Sequence, residues 1–178
     1  MGMLRVLVGA VSAIVMWSSV GISVHARQGQ PPTLVDVVRA AIQPFANPED
    51  ATGYGKFLGC VSGPMGGAMG VHYVNGNLLD TEIDATKPEA LIYEPGSNGP
   101  FQLVCVEFIV PAGPWDAAHP GGGPPVLMGQ VYNYVGSPNR YSIPAFYELH
   151  VWTGKANPDG PFADWHPHVS CDKYDPQN

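Results

Sequence analysis

The sequence predicts an α+β domain: an antiparallel sheet with one N-terminal amphipathic helix and long Pro/Gly-rich loops. Three observations carry this. Leu34, Val37, Val38, Ala41, Ile42 and Phe45 recur at helical spacing. The later apolar runs are short, rich in β-branched and aromatic residues, and bounded by turn residues. No helical pattern alternates with those runs, so short turns rather than crossover helices join them, which favours antiparallel pairing.

Each element has its own signal. Thr33 is the N-cap of the leading helix, with Asp36 three residues on as a weak capping box, and Pro44 ends it. Asn47-Pro48-Glu49-Asp50 starts a second, short helix: cap, proline at the first position, acids in the first turn. Gly63 to Gly70 is a glycine-rich loop that lacks the lysine and hydroxyl of a phosphate loop. Val71 to Val74 is a strand closed by the turn signal Asn75-Gly76. Leu78 to Ala85 is irregular. Ala90 to Glu94 and Phe101 to Val110 are strands joined as a hairpin through Pro95 to Pro100. In the second of them Val104, Val106, Phe108 and Val110 make an apolar face, and Glu107 interrupts the other. Pro111 to Pro125 reads as a long loop. Val126 to Val135 reads as strand, or as short helix and then strand. Ala145 to Trp152 is the last strand, and the tail from Asn157 is turn-rich.

That last strand is the most informative stretch. Strand side chains alternate between faces. Tyr147, Leu149 and Val151 make one wholly apolar face. Phe146, Glu148, His150 and Trp152 make the other, so a carboxylate and an imidazole point the same way between two aromatics.

Met1 to Ala26 reads as a secretory signal peptide. Arg5 supplies the positive end, Val6 to Trp17 the apolar core, and Val24-His25-Ala26 a peptidase site; an uncleaved anchor is the alternative. The remaining chain, 27–178, fits a single domain exported to the envelope or beyond. Its net charge is more negative than the whole-chain value of -7 once Arg5 is removed. No basic patch with interleaved aromatics exists, which disfavours nucleic acid as a partner. No later segment is long enough to span a membrane. The 22 glycines and 19 prolines approach a disordered composition, but a hydrophobic fraction of 45% points instead to a folded, loop-rich domain.

Three cysteines in an exported chain imply one disulfide. Cys60 and Cys171 lie beside turn-rich segments near the two ends of the domain, and Cys105 lies mid-strand. The expected bridge is Cys60–Cys171, with Cys105 a buried thiol; Cys105 with either partner is the alternative.

The sharpest candidate site is His72, Glu107, Glu148 and His150. Each interrupts apolar neighbours within a strand. Buried ionisable groups are costly unless paired or bound to metal. Two imidazoles and one or two carboxylates suit a transition metal ion as cofactor: zinc, iron, manganese or copper. The competing readings are internal Glu–His pairing without a ligand, and a solvated sheet face. His166-Pro167-His168 is a second candidate, read as two exposed histidines on a surface loop. Glu89 and Glu94 flank a strand like a glycosidase pair, but two such carboxylates are read as surface residues. Cys105 lies in an apolar run that suits an inert core thiol better than a nucleophile. The tryptophans and tyrosines fit either a small-molecule cleft or an aromatic-rich core. No motif fixes a reaction class. The function expected is therefore a small exported domain with a His/Glu site for a metal or small molecule. A non-catalytic envelope or extracellular ligand-binding or interaction module without metal is the alternative.

Several phrases together resemble a family of small exported bacterial proteins of uncharacterised function. They are Met69-Gly70-Val71-His72-Tyr73-Val74-Asn75, Pro88-Glu89-Ala90-Leu91-Ile92-Tyr93-Glu94-Pro95, Val106-Glu107-Phe108-Ile109-Val110, Phe146-Tyr147-Glu148-Leu149-His150-Val151-Trp152, and Phe162-Ala163-Asp164-Trp165 through Val169-Ser170-Cys171. The resemblance implies export and a shared fold from Cys60 onward, and no reaction.

Overall fold

The computed structural model describes residues 31–96 and 101–176. Residues 1–26, read from the sequence as a signal peptide, lie outside the described residues, as does the tip of the loop after Glu94. The described residues from Pro32 onward form one unit.

Helix α1, Leu34–Ala41, begins at Thr33, whose hydroxyl accepts from the Asp36 N–H while Asp36 accepts from the Thr33 N–H. This reciprocal box satisfies two of the donors that a helix start leaves open. Pro48–Asp50 is a single 3-10 turn rather than a helix. Strands β1 (Gly55–Ser62), β2 (Ala68–Val74), β3 (Ala90–Glu94), β4 (Gln102–Pro111), β7 (Asn133–Val135) and β8 (Phe146–Trp152) form one sheet in the order β1-β2-β3-β4-β8-β7. Every neighbouring pair in it is antiparallel. Between β7 and β4 in sequence lie helix α2 (Ala112–Ala118) and the two-stranded hairpin β5 (Val126–Leu127) with β6 (Gln130–Val131).

The sheet and its connections depart from simple sequence patterns in three places. First, the loop expected from Pro111 begins with α2. Pro111 and Pro114 sit at its cap and first turn, where a proline's missing N–H costs nothing. Second, β1 carries no clean alternation: its pairing to β2 shifts between Lys56 and Cys60, and Leu58 has φ of 59°. A bulged edge strand hides the period of two. Third, the faces of β4 switch midway. The β3–β4 register slips between Ile92 and Tyr93, which places Val104 with Cys105 in one cluster and Leu103 against the other.

Both faces of the sheet are covered. On one, Leu34, Val38 and Ile42 of α1 join Leu91, Tyr93, Val106, Phe108, Val110, Tyr147, Leu149 and Val151. Burying each such side chain contributes roughly 1.5–3 kcal/mol, which is what holds an eight-residue helix too short to persist alone. On the other face Val61, Met69, Ile92, Val104, Cys105 and Trp152 pack with Val169 and Trp165 of the C-terminal tail. The Cys60–Cys171 disulfide fastens that tail to β1, and Cys105 is free and buried. The tail is pinned again at Trp152, whose indole N–H donates to the Ala163 carbonyl at 2.6 Å, and at Ala68 and His166, whose backbones bond each other. The polar site lies at one end of this second face, beyond the apolar cluster.

Candidate metal centre

The ladder puts the ionisable residues side by side. Glu107 on β4 stands opposite His150 on β8 and opposite Ala90 on β3. Directly opposed residues share a face, with Cβ atoms close enough for their side chains to meet. Glu148 stands opposite Asn133 on the other side of β8. His72 on β2 is one strand further away and stands opposite Ile92. It nevertheless reaches Glu107: His72 Nε2 lies 3.4 Å from Glu107 Oε2. The intervening strand carries only a methyl group at Ala90, itself fully buried, so the imidazole can lean across β3.

All four residues are buried, with exposures of 5% for His72, Glu107 and Glu148 and 1% for His150. Among the described residues two sets have ligand atoms within 4.8 Å of one another: His72, Glu107 and His150, and Glu148, His150 and Asp164. His150 is common to both. Glu148 therefore joins the site beside Asp164 and through a hydrogen bond to Glu107. The His72–Glu107 separation of 3.4 Å is long for a hydrogen bond. It matches the spacing of two donors on one tetrahedral ion with bonds of about 2.1 Å.

The hydrogen bonds around the histidines are incomplete. Neither ring nitrogen of His150 has a hydrogen-bond partner, and His72 Nδ1 has none. The nearest carboxylate to His150 Nδ1 is Asp164 Oδ1 at 3.8 Å, beyond hydrogen-bond reach. Asp164 is itself held by the Asn133 side-chain amide at 3.0 Å.

Charge in the cluster is divided. Burial pushes the Glu148 carboxyl up to about 9, helped by the Glu107 charge and their shared hydrogen bond. Glu148 is thus a protonated donor at neutral pH. Burial pushes Glu107 upward too, but His150, His72 and the bond from Glu148 outweigh it and hold this carboxyl below its ordinary value. Burial drives His150 downward, toward the neutral imidazole. A neutral imidazole beside a carboxylate, backed by a second carboxyl that donates, is a usable ligand set.

The other sequence candidates land differently. His166 is buried, not exposed, and is saturated: Nδ1 accepts the His168 N–H at 3.0 Å and Nε2 lies 3.0 Å from the Ala156 carbonyl. It is a structural latch for the tail, while His168 is exposed. Glu89 and Glu94 are not surface groups. Glu94 is half-buried and paired with Lys155 at 2.7 Å. Glu89 is 4% exposed and accepts the Ile109 N–H at 2.9 Å.

Burial raises the Glu89 carboxyl to about 8, against the opposing bonds from Ile109 and its own N–H. Between the ordinary value near 4.5 and about 8 the folded chain keeps this proton while the unfolded chain loses it. The contribution of Glu89 to stability is therefore largest below pH 4.5, falls through that window by up to about 1.4 kcal/mol per pH unit, and is level above it. We expect Glu89→Gln to gain stability over the wild type between pH 5 and pH 8. Urea unfolding of both proteins at those pH values checks this; parallel pH profiles would contradict it.

Asp164 is the site residue that strand patterns miss. It comes from a loop, and what brings it to His150 is the anchoring of Pro161 and Ala163 on Trp152. The readable signal is only the neighbourhood of Trp152 and the Phe162–Trp165 phrase. No family model, curated protein or solved structure matches the chain.

Proposed function

We propose that this chain is an exported metal-binding protein that holds one first-row transition-metal ion between His72, Glu107 and His150. One observation carries the reading: a completely buried imidazole, His150, with neither nitrogen hydrogen-bonded, stands among three carboxyl groups and a second histidine. An orphaned buried polar atom costs roughly 1–3 kcal/mol, and an ion accepting the lone pair removes that cost at the ligating nitrogen. Two imidazoles and one carboxylate with a side left open is a donor set used by zinc and non-haem iron. Asp164 Oδ1, 3.8 Å from His150 Nδ1, adds a nearby carboxylate of the kind commonly found beside metal-bound histidines. Glu148 would fix the Glu107 carboxylate by donating to it.

Export is supported by the leader-like first 26 residues, by a disulfide across 111 residues, and by the resemblance to small exported bacterial proteins. Among the described residues no helix is long and apolar enough to cross a membrane.

Loading tests the proposal. Chelator-stripped protein, titrated with Zn²⁺ or Mn²⁺ against a chromophoric competitor, should take up one equivalent, and the loaded protein should melt at higher temperature. Uptake that is unsaturable, or unchanged in His72→Ala, would count against it.

A further inference from the structure

A cavity of about 540 Å³ opens directly over two of these residues. His72 and Glu107 lie in its lining, and Leu58, Val74, Ile109, Ile143 and Phe146 are among its walls. Phe57 and Leu79 also line it and keep 41% and 40% exposure. The volume lies within the range of about 300–1,000 Å³ typical of small-molecule sites, which combine apolar walls with a few polar groups that orient the ligand.

We propose that this cavity binds a small apolar molecule carrying a single hydroxyl head, of the phenol or alcohol class, with that head against His72 and Glu107. Shape and wall chemistry select the apolar body. Charge selects the head. The lining carries one acid, Glu107, and one base, Lys56, so it has no excess of either sign to draw a charged head, and its surface is otherwise mostly apolar. A hydroxyl is neutral, donates to a carboxylate, and offers a lone pair to an imidazole N–H or to an ion. Polar groups buried at the floor of an apolar site favour the ligand that completes their hydrogen bonds and reject its hydrocarbon analogue.

The inference rests on the metal reading only for what the head group finally touches. The two fail separately, because metal content judges the ion and ligand selectivity judges the cavity. The probes are 4-ethylphenol and its near-isostere 4-ethyltoluene, titrated by NMR into the full chain, with metal content measured on the same samples. Saturable binding of the phenol is expected, with a preference of about tenfold or more over the hydrocarbon. Val74→Phe, two residues from His72 and so on the same face of β2, narrows the cavity and should weaken phenol binding at least tenfold. Leu79→Trp does so from the rim, where the wild-type side chain is already part-exposed, should Val74→Phe fail to fold. Equal affinity for both probes, absence of saturable binding, or phenol binding that survives both variants would overturn the proposal.

Discussion

His150→Ala is expected to abolish metal uptake while leaving the fold in place. His150 is the residue shared by both ligand sets, and it is 1% exposed. Removing one of three protein ligands should weaken affinity by about a hundredfold or more, since even an outer-shell partner is worth 10–100-fold. The effect on the metal-free fold is smaller, because two terms oppose each other. Truncation leaves a void beside Glu107, and it also removes two buried nitrogens that lack partners. The apolar face of β8 that builds the core, Tyr147, Leu149 and Val151, is untouched. A change of order 1 kcal/mol is expected for the metal-free protein, against a loss of about 2.7 kcal/mol of ligand-linked stability at a hundredfold excess over Kd. Glu148→Gln, which still donates a hydrogen bond to Glu107, should retain most uptake. A histidine with a purely structural role predicts the reverse order: a large loss of stability with uptake intact. Thermal melts and competition titrations on the same three proteins separate the two.

Cys60→Ser should carry the largest cost in stability, roughly 2–5 kcal/mol. The bridge closes a separation of 111 residues, with Cα atoms 5.6 Å apart. In the chain-entropy account a loop that long is worth about 4–5 kcal/mol through restriction of the unfolded chain. The bridge also ties down the segment that carries Trp165, His166 and Val169 onto the second face of the sheet. Its loss should therefore loosen Asp164 and lower metal affinity as well. Urea unfolding of the oxidised wild type and the variant checks the first effect. Cys105, fully buried with its thiol pushed upward by desolvation, should be alkylated only after denaturation. A stability change under about 1 kcal/mol, or Cys105 found in a bridge by peptide mapping, would contradict the account.

Local rules reach most of the sheet and stop where distant segments decide. The alternation of Tyr147, Leu149 and Val151 against Glu148 and His150 is visible because β8 is regular and buried on both faces. The capping signal at Thr33 works because it depends on neighbours only three residues apart. Glu107 opposite His150 is not legible, because register belongs to two strands separated by a long connection. The reach of His72 across Ala90 depends on three strands at once. Asp164 and His166 are set by where the tail is pinned, and a turn-rich composition that usually means exposure is overridden by Trp152 and the disulfide. The burial of Glu89 is hidden for the same reason: its partner, the Ile109 N–H, lies on a different strand.

The central claim is that the His72, Glu107 and His150 cluster exists to hold an ion. Elemental analysis of the protein purified from its native source, without chelator or affinity tag, tests it most directly. The account predicts close to one equivalent of a single transition metal per chain, lost from His150→Ala expressed in the same source. Sub-stoichiometric amounts of every transition metal in the wild type, or equal content in the wild type and His150→Ala, would contradict it.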